Sequence, residues 1–241
     1  MRYKYLKGPV YSRRLGKSLG INIITDKSCS FDCVYCEIAK TPSLTLERKE
    51  YIETNELINE LDNYLKNEPE LDFITFSSTG EPTLHIKIKE VIEFLKENYP
   101  KYKIALITNS SFLSDKNIRN EVANVDLIVP SLDAVSNNIF QKINRPHENL
   151  NIKEIIDGLI NLGEEFQGEI WLEIFIIHGL NDNEKELNKF LKVINKLNVD
   201  KVQLNSLDRP APEKWVRSVS KERLIEIKNY LSKSNVKIEI I

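Results

Sequence analysis

The sequence predicts an α/β fold, a partial (β/α)6 TIM-type barrel with parallel strands. Short apolar runs alternate along the chain with amphipathic stretches whose apolar residues recur at helical spacing. This alternation is typical of a parallel sheet with right-handed crossovers. About six strand–helix repeats fit into 241 residues, whereas a closed eight-stranded barrel typically needs about 250 or more. An open doubly wound sheet is the alternative.

The predicted elements cover most of the chain. Strands are predicted where Ile, Val, Leu and Phe cluster, at residues 19–24, 72–77, 103–108, 126–131, 169–177, 201–205 and 236–241. Helices are predicted at residues 55–66, 86–98, 152–166, 184–197 and 221–231. No break in composition divides the chain, so we expect a single domain over residues 1–241, with a basic amino-terminal arm at about 1–18.

Composition and charge exclude several classes of protein. With 34 Lys+Arg against 36 Asp+Glu the net charge is −2, which argues against a uniformly basic nucleic-acid binder but not against a local basic patch. No apolar run reaches the roughly 18 residues of a membrane span. The first residues also lack the apolar segment of a secretory signal. We therefore expect a cytoplasmic protein.

The three cysteines of the chain lie within eight residues, with the spacing C-x3-C-x2-C. Clustered cysteines in a chain without a signal predict a metal or redox site in a reducing compartment. A [4Fe–4S] cluster normally takes four cysteines, so Cys29, Cys33 and Cys36 would leave one iron open to a cofactor or substrate. The alternative is a Cys3His zinc site whose fourth ligand is His85, His147 or His178.

Polar residues follow nearly every predicted strand, where parallel α/β sheets bind their ligands. They lie at residues 77–81, 108–110, 131–133, 178–179 and 205–206. Any one of them could instead cap the helix that follows.

Two motifs resemble the signature of the radical S-adenosylmethionine (SAM) superfamily. The first is the cysteine spacing, with Tyr35 directly before Cys36 and with the segment placed after the first predicted strand. The second is Gly80-Glu81-Pro82, which resembles the glycine–glutamate motif that grips the methionine amino group in that family. Thr79 stands where a further glycine is usual.

Within the superfamily the chain resembles the small radical SAM Fe–S oxidoreductases grouped with wyosine-type tRNA synthetases. The matching stretches are residues 8–16, 73–83, 129–133, 143–147 and 171–173. The wyosine enzymes themselves are longer and carry further cysteines for a second cluster. This chain has no spare cysteine, which argues against imidazoline-ring formation on tRNA.

The resemblance implies a [4Fe–4S] cluster on the three cysteines and SAM as the second cofactor. Reductive cleavage of SAM would give a 5′-deoxyadenosyl radical that abstracts hydrogen from a substrate, with a low-potential ferredoxin or flavodoxin as electron donor. The positions implied for SAM are Tyr35, Ser78, Thr79, Gly80, Glu81, Thr108, Asn109, Ser131, Asp133, Gln203, Leu204 and Asn205.

The substrate is open, and the expectation is an anionic molecule such as a nucleotide or tRNA. Arg13, Arg14 and Lys17 belong to a basic segment with interleaved tyrosines, which could contact phosphates and stack on bases or could simply be a solvated arm. Arg145 and His147 flank Pro146 after the fourth predicted strand and are further candidates. A peptide- or protein-modifying radical SAM enzyme of the activase type and, from another class, a zinc-stabilised RNA-binding module are the alternatives.

Overall fold

The structure is a computed structural model that describes residues 3–209 and 211–241. Its strands are β1 (Leu6–Ser12), β2 (Gly16–Ile21), β3 (Ser28–Cys29), β4 (Ser43–Leu44), β5 (Phe73–Phe76), β6 (Lys103–Thr108), β7 (Leu127–Pro130), β8 (Glu169–Phe175), β9 (Lys201–Asn205) and β10 (Lys237–Ile240). Its α-helices are α1 (Thr54–Leu65), α2 (Ile88–Asn98), α3 (Lys116–Glu121), α4 (Asn137–Ile143), α5 (Ile152–Glu165), α6 (Glu184–Ile194) and α7 (Lys221–Leu231), and a short 3-10 helix covers Pro82–Leu84.

One eight-stranded sheet runs in the order β1-β2-β5-β6-β7-β8-β9-β10. All neighbours from β2 to β10 are parallel, and β1 joins the edge antiparallel to β2. The predicted α/β class and the partial barrel of parallel strands are confirmed. Each predicted strand run and each predicted helix overlaps an observed one, whereas β1, β3, β4, α3 and α4 were not predicted.

The helices form where an apolar stripe follows a capping residue. At α6, the Asn183 side chain accepts from the backbone N–H of Glu186, and Leu187, Phe190 and Ile194 are buried at helical spacing. At α5, Asn151 caps in the same way. Within the described residues, every helix is too short or too polar to cross a lipid bilayer.

The sheet separates two cores because strand side chains alternate between its faces. The larger core lies between the sheet and the helices. A small second core fills the barrel interior around Ala105, Leu127 and Val129. Leu15, from the turn between β1 and β2, packs into this interior and is buried. From Leu6 onward the predicted basic arm therefore forms β1 and the start of β2, at the edge of the sheet, and its first two residues lie outside the described part of the chain.

Candidate active site

The cysteine segment and the Gly80-Glu81 loop interlock at the carboxyl ends of β2 and β5. The backbone N–H of Glu81 donates to the carbonyl of Ser28 at 3.1 Å, directly before Cys29. A Cβ on Gly80 would lie 1.8 Å from that same carbonyl oxygen. The close approach of two backbones therefore requires glycine at this position, and it joins the two sequence motifs into one structure.

Ser78 and Thr79 hold the same loop through their side chains. Ser78 Oγ accepts from the backbone N–H of Ile23 at 3.0 Å, and the Thr79 hydroxyl donates to the carbonyl of Ile24. The Thr79 N–H donates to Asn22 Oδ1 at 2.8 Å. Thr79 occupies the position where the family that this motif resembles usually has glycine. Its hydroxyl stabilises the loop by binding it to the end of β2.

The Glu81 carboxylate is buried among protein donors. Its Oε1 accepts from Thr83 N at 3.1 Å, from Thr83 Oγ1 at 2.7 Å and from Thr108 Oγ1 at 2.7 Å. Its Oε2 accepts from the backbone N–H of Asn109 at 2.7 Å. Burial raises the pKa of Glu81, against the lowering effect of these hydrogen bonds. Glu81 therefore caps the 3-10 helix and ties β5 to β6 in addition to any role toward a ligand.

The three cysteines are free thiols close to the strand ends. Burial raises the pKa of Cys29 to about 12 and raises the pKa of Cys33 well above its ordinary value. A buried thiol of this kind becomes a thiolate when a metal ion supplies positive charge beside it. Metal binding by these cysteines would therefore be coupled to loss of the thiol protons.

All three cysteines line one cavity of about 470 Å³ at the carboxyl ends of the strands. Nine positions implied for SAM share this lining: Tyr35, Ser78, Thr79, Gly80, Glu81, Thr108, Asn109, Ser131 and Asn205. Its wall includes the ring of Phe175, which stacks on Tyr35 at 3.9 Å between centroids and 6° between planes. The volume is in the range typical of small-molecule sites.

Three of the implied SAM positions do not line this cavity. Asp133 is buried behind Tyr35 and accepts from its hydroxyl, from Asn144 Nδ2 at 2.7 Å and from Phe175 N at 3.0 Å. Burial raises the pKa of Asp133 to about 6. Gln203 lines a separate cavity with Arg14, and Leu204 points to the opposite face of the sheet, into the helix-side core. These three side chains therefore lie outside the lining that the cysteines share.

The basic arm residues are divided between two places. Arg14 pairs with Glu173, and Arg13 pairs with Asp208 at 2.5 Å; both arginines line the cavity. Lys17 lies in another pocket, beside Asp72. The three side chains therefore form no common surface for a nucleic acid.

Arg145 and His147 do not line the cavity either. Arg145 pairs with Glu213 at 2.6 Å and lies 3.7 Å from Asp32. The backbone N–H of His147 donates to the carbonyl of Ser30 at 2.9 Å. Their segment supports the cysteine loop from behind.

The geometry agrees with a known family. The family model of the radical SAM superfamily matches residues 23–191. The chain belongs to the radical SAM superfamily. The matched range contains the cysteine segment, the Gly80-Glu81 loop and most of the strands that line the cavity.

Two curated relatives match this radical SAM chain over most or all of its length, and both are longer than the region that matches. The UPF0026 protein of Methanocaldococcus jannaschii is 37% identical over 223 residues, which cover 91% of this chain and 68% of that protein. A protein named GTPase Obg from Brachyspira hyodysenteriae is 35% identical over 240 residues, which cover 100% of this chain and 35% of that protein. The chain thus spans about a third of one relative and about two thirds of the other.

Solved structures share the fold at low identity. A radical SAM methyltransferase from Sphaerobacter thermophilus has a TM-score of 0.71 at 16% identity, covering 93% of this chain and 66% of that one. The structure of TYW1 with a lysine-pyruvate adduct bound has a TM-score of 0.64 at 16% identity, covering 91% of this chain and 74% of that one. These likenesses show the partial barrel of the superfamily.

Membership of this enzyme family argues against a zinc-stabilised binding module, and so do the histidines. None of His85, His147 and His178 lines the cavity with the cysteines. In residues 3–209 and 211–241, no group of three His, Cys, Asp or Glu side chains converges on a single metal ion. The three cysteines line one cavity instead, which has room for a multi-atom cluster.

Several residues of the site were missed by sequence reasoning, and two of them bear directly on its chemistry. Lys27 lines the cavity in a left-handed backbone conformation, at φ 55°, and its buried Nζ has no hydrogen-bond partner among the described residues. Asn144 is buried and donates to Cys33 Sγ at 3.4 Å. The available signals were the position of Lys27 two residues before Cys29 and the place of Asn144 in the matching stretch 143–147.

Proposed function

We propose that the protein is a radical SAM oxidoreductase that holds a [4Fe–4S] cluster on Cys29, Cys33 and Cys36 and binds SAM beside it. The observation that carries this proposal is the single cavity shared by the three cysteines and the Gly80-Glu81 loop. When bound, this pair of cofactors supplies a 5′-deoxyadenosyl radical that abstracts hydrogen from the substrate.

The residues of this chain would bind SAM and orient it in the cavity. Glu81 Oε2 accepts one protein hydrogen bond, from Asn109 N, so this oxygen keeps capacity to accept from the SAM ammonium. Ser131 and Asn205 also line the cavity, and their polar side chains would hold hydroxyl groups of SAM. The stacked rings of Tyr35 and Phe175 provide an apolar wall that excludes water from part of the cavity.

The substrate that we propose is a small anionic molecule of the nucleotide class. Arg13, Lys27 and Arg209 line the cavity, so several cations face it. Arg13 pairs with Asp208, and Arg209 lies 3.5 Å from Glu37. Lys27 has no such partner among the described residues, and it would attract a phosphate or carboxylate most strongly. A long polyanion such as tRNA is less well supported, because Arg14 lies inside the barrel and Lys17 on another face.

A reductant must supply the electron for SAM cleavage, and we propose a low-potential ferredoxin or flavodoxin for this role. The warrant for that partner is analogy within the superfamily. Chemical reduction with dithionite replaces it in the experiment below.

Anaerobic reconstitution tests the proposed function. The wild type should take up about four irons and four sulfides per chain, turn brown, and release 5′-deoxyadenosine from SAM after reduction. Cys33→Ala should lose the colour and the cleavage. Glu37→Gln is the matched control, because Glu37 belongs to the same segment and, among the described residues, pairs only with the exposed Arg209. Full cluster content in Cys33→Ala would contradict the assignment.

The substrate class needs its own comparison. Ribonucleoside 5′-phosphates are added to the reduced protein and compared with the corresponding nucleosides, which differ only in the phosphate. An anionic substrate should raise 5′-deoxyadenosine release, and its nucleoside should not. Equal responses to both members of every pair would contradict the proposed recognition of the anion.

A further inference from the structure

Two asparagine side chains each donate to a cysteine sulfur at the site. Asn109, at the end of β6, donates through Nδ2 to Cys29 Sγ at 3.5 Å and to Ser30 Oγ at 2.9 Å. Asn144, at the end of α4, donates through Nδ2 to Cys33 Sγ at 3.4 Å and to Asp133 Oδ2 at 2.7 Å. The arrangement is the same at both positions, with one proton directed at sulfur and the other at oxygen.

The surroundings fix which end of each amide faces its sulfur. The Oδ1 of Asn109 accepts from the backbone N–H of Ser111 at 3.0 Å, which a flipped amide could not do. At Asn144, a flipped amide would bring a carbonyl oxygen against the carboxylate of Asp133. Both side chains are therefore held as donors to sulfur.

Both amides are engaged through Nδ2, whereas the buried Oδ1 of Asn144 has no hydrogen-bond partner among the described residues. Both protons of Asn109 Nδ2 and its Oδ1 are engaged by the cysteine segment and by Ser111. Asn144 is 2% exposed and does not reach the cavity lining. No side chain in the described part of the chain makes a corresponding contact with Cys36 Sγ.

We propose that Asn109 and Asn144 set the reduction potential of the cluster through N–H···S hydrogen bonds to Cys29 and Cys33. Reduction adds negative charge to the cluster and its sulfurs, so a donor aimed at sulfur stabilises the reduced form more than the oxidised form. The two asparagines thus make the cluster easier to reduce. The inference rests on the proposed cluster and goes beyond it by assigning a role to residues that do not ligate iron.

Asn109→Leu and Asn144→Leu remove the donors while keeping the branched shape of the side chain. A net hydrogen bond contributes about 0.5–1.5 kcal/mol, so each variant should lower the ratio of reduced to oxidised cluster about threefold to tenfold at a fixed potential. Tenfold corresponds to about 59 mV for a one-electron couple. The measurement is a potentiometric titration followed by electron paramagnetic resonance, without SAM, on anaerobically reconstituted protein.

Ser111→Ala is the matched control. Its hydroxyl contacts Ser30 Oγ at 2.7 Å in the same cysteine segment but makes no contact with sulfur. The control should keep the wild-type potential. The inference would be overturned if the Asn109→Leu and Asn144→Leu variants took up the cluster and kept the wild-type reduction potential. A wild-type protein that takes up no cluster would contradict the proposed function instead.

A second measurement needs no variant and covers the case in which the Leu variants do not take up the cluster. Wild-type protein is labelled with ¹⁵N-asparagine, reduced, and examined by hyperfine spectroscopy before and after exchange into D₂O. Coupling of the cluster to asparagine ¹⁵N and to exchangeable amide protons is expected. The backbone N–H of Phe31 also donates to Cys29 Sγ, at 3.5 Å, and would give exchangeable protons of its own. The ¹⁵N coupling therefore decides, and its absence in a fully loaded sample would overturn the inference.

Discussion

Arg14, in the turn between β1 and β2, forms an ion pair with Glu173 of β8 inside the barrel. Glu173 also accepts from Asn205 Nδ2 at 3.1 Å, so the pair links the amino-terminal hairpin to β8 and β9. The neighbouring Leu15 packs into the barrel core. The segment for which phosphate binding and a solvated arm were both considered therefore links the amino-terminal hairpin to the far side of the barrel.

Breaking this pair should destabilise the protein. The side chains of Arg14 and Glu173 are 21% and 12% exposed, so Arg14→Met leaves a carboxylate in a poorly solvated place. Removing one partner of a fully buried pair costs about 3–5 kcal/mol, and partial exposure reduces this to roughly 2–3 kcal/mol. Urea unfolding of the cluster-free protein measures the loss.

Arg13→Met is the control for Arg14→Met. Arg13 and Asp208 are 64% and 56% exposed, so their pair should contribute at most about 1 kcal/mol. Adding Glu173→Gln to Arg14→Met should recover part of the lost stability. Strictly additive effects of the two substitutions would show that the charges do not interact.

The contrast between the strands and the hairpin shows what the sequence could predict. The parallel strands carry dense apolar runs, because both of their faces are covered. β1, in contrast, is a mostly exposed edge strand whose residues show no apolar period, and no burial pattern marked it. The partner of Arg14 lies 159 residues away along the chain, and a contact of that kind leaves no local signal.

The candidate site likewise has features that the sequence predicts and contacts that it does not. The cysteines and Gly80-Glu81 could be found because the chemistry demands a fixed spacing of a few residues. The resemblance implies Asn109 as a SAM position, and it lines the cavity, but the contacts of its side chain with Cys29 and Ser30 could not be predicted. Position predicts the edge of the sheet at which a residue lies, whereas the neighbours that it contacts depend on how separate loops pack together.

Gly80→Ala should disrupt the assembly of the site. The new Cβ would meet a backbone carbonyl at 1.8 Å, and backbone cannot move aside as a flexible side chain can. We expect iron content after reconstitution to fall severalfold, with circular dichroism still showing a folded protein. In the control, Gly20→Ala, the Cβ meets Ser77 Oγ at 3.1 Å, a side-chain atom. Normal iron uptake by Gly80→Ala would show that the two loops need not interlock.

Glu81→Gln separates the structural and the binding roles of that carboxylate. The amide keeps one oxygen acceptor but places an NH₂ group among four existing donors, so the free energy of unfolding should fall by about 1–3 kcal/mol. If Glu81 also accepts from the SAM ammonium, affinity for SAM should fall by roughly one to two decades, since hydrogen bonds to charged groups contribute about 1.5–3 kcal/mol. Calorimetric titration on the reconstituted protein decides the second point. Unchanged affinity would leave Glu81 with the structural role alone.

Asp133 should make the stability of the cluster-free protein depend on pH. Burial raises its pKa from 3.8 to about 6 in the folded state, so the folded protein binds a proton at pH values where the unfolded chain has released it. The free energy of unfolding should therefore fall as pH rises from about 4 to 6, by on the order of 3 kcal/mol at most, and level off above that range. Asp133→Asn should remove this component, seen in urea unfolding as a difference between variant and wild type that grows with pH. A difference that is constant from pH 4 to 7 would contradict the assignment.

Lys27→Met should stabilise the cluster-free protein, although most substitutions destabilise. Lys27 is 9% exposed, and its ammonium has no hydrogen-bond partner among the described residues. A buried cation without compensation costs several kcal/mol, and methionine fills a similar space without the charge. We expect the melting temperature to rise by a few degrees, whereas Lys27→Arg, which keeps the charge, should give no such increase.

Addition of a ribonucleotide that the wild type binds should raise the wild-type melting temperature and leave that of Lys27→Met almost unchanged. A lower melting temperature for Lys27→Met without ligand would mean that other groups already compensate the charge of the ammonium. Lys27 would then not be the cation that attracts an anionic substrate.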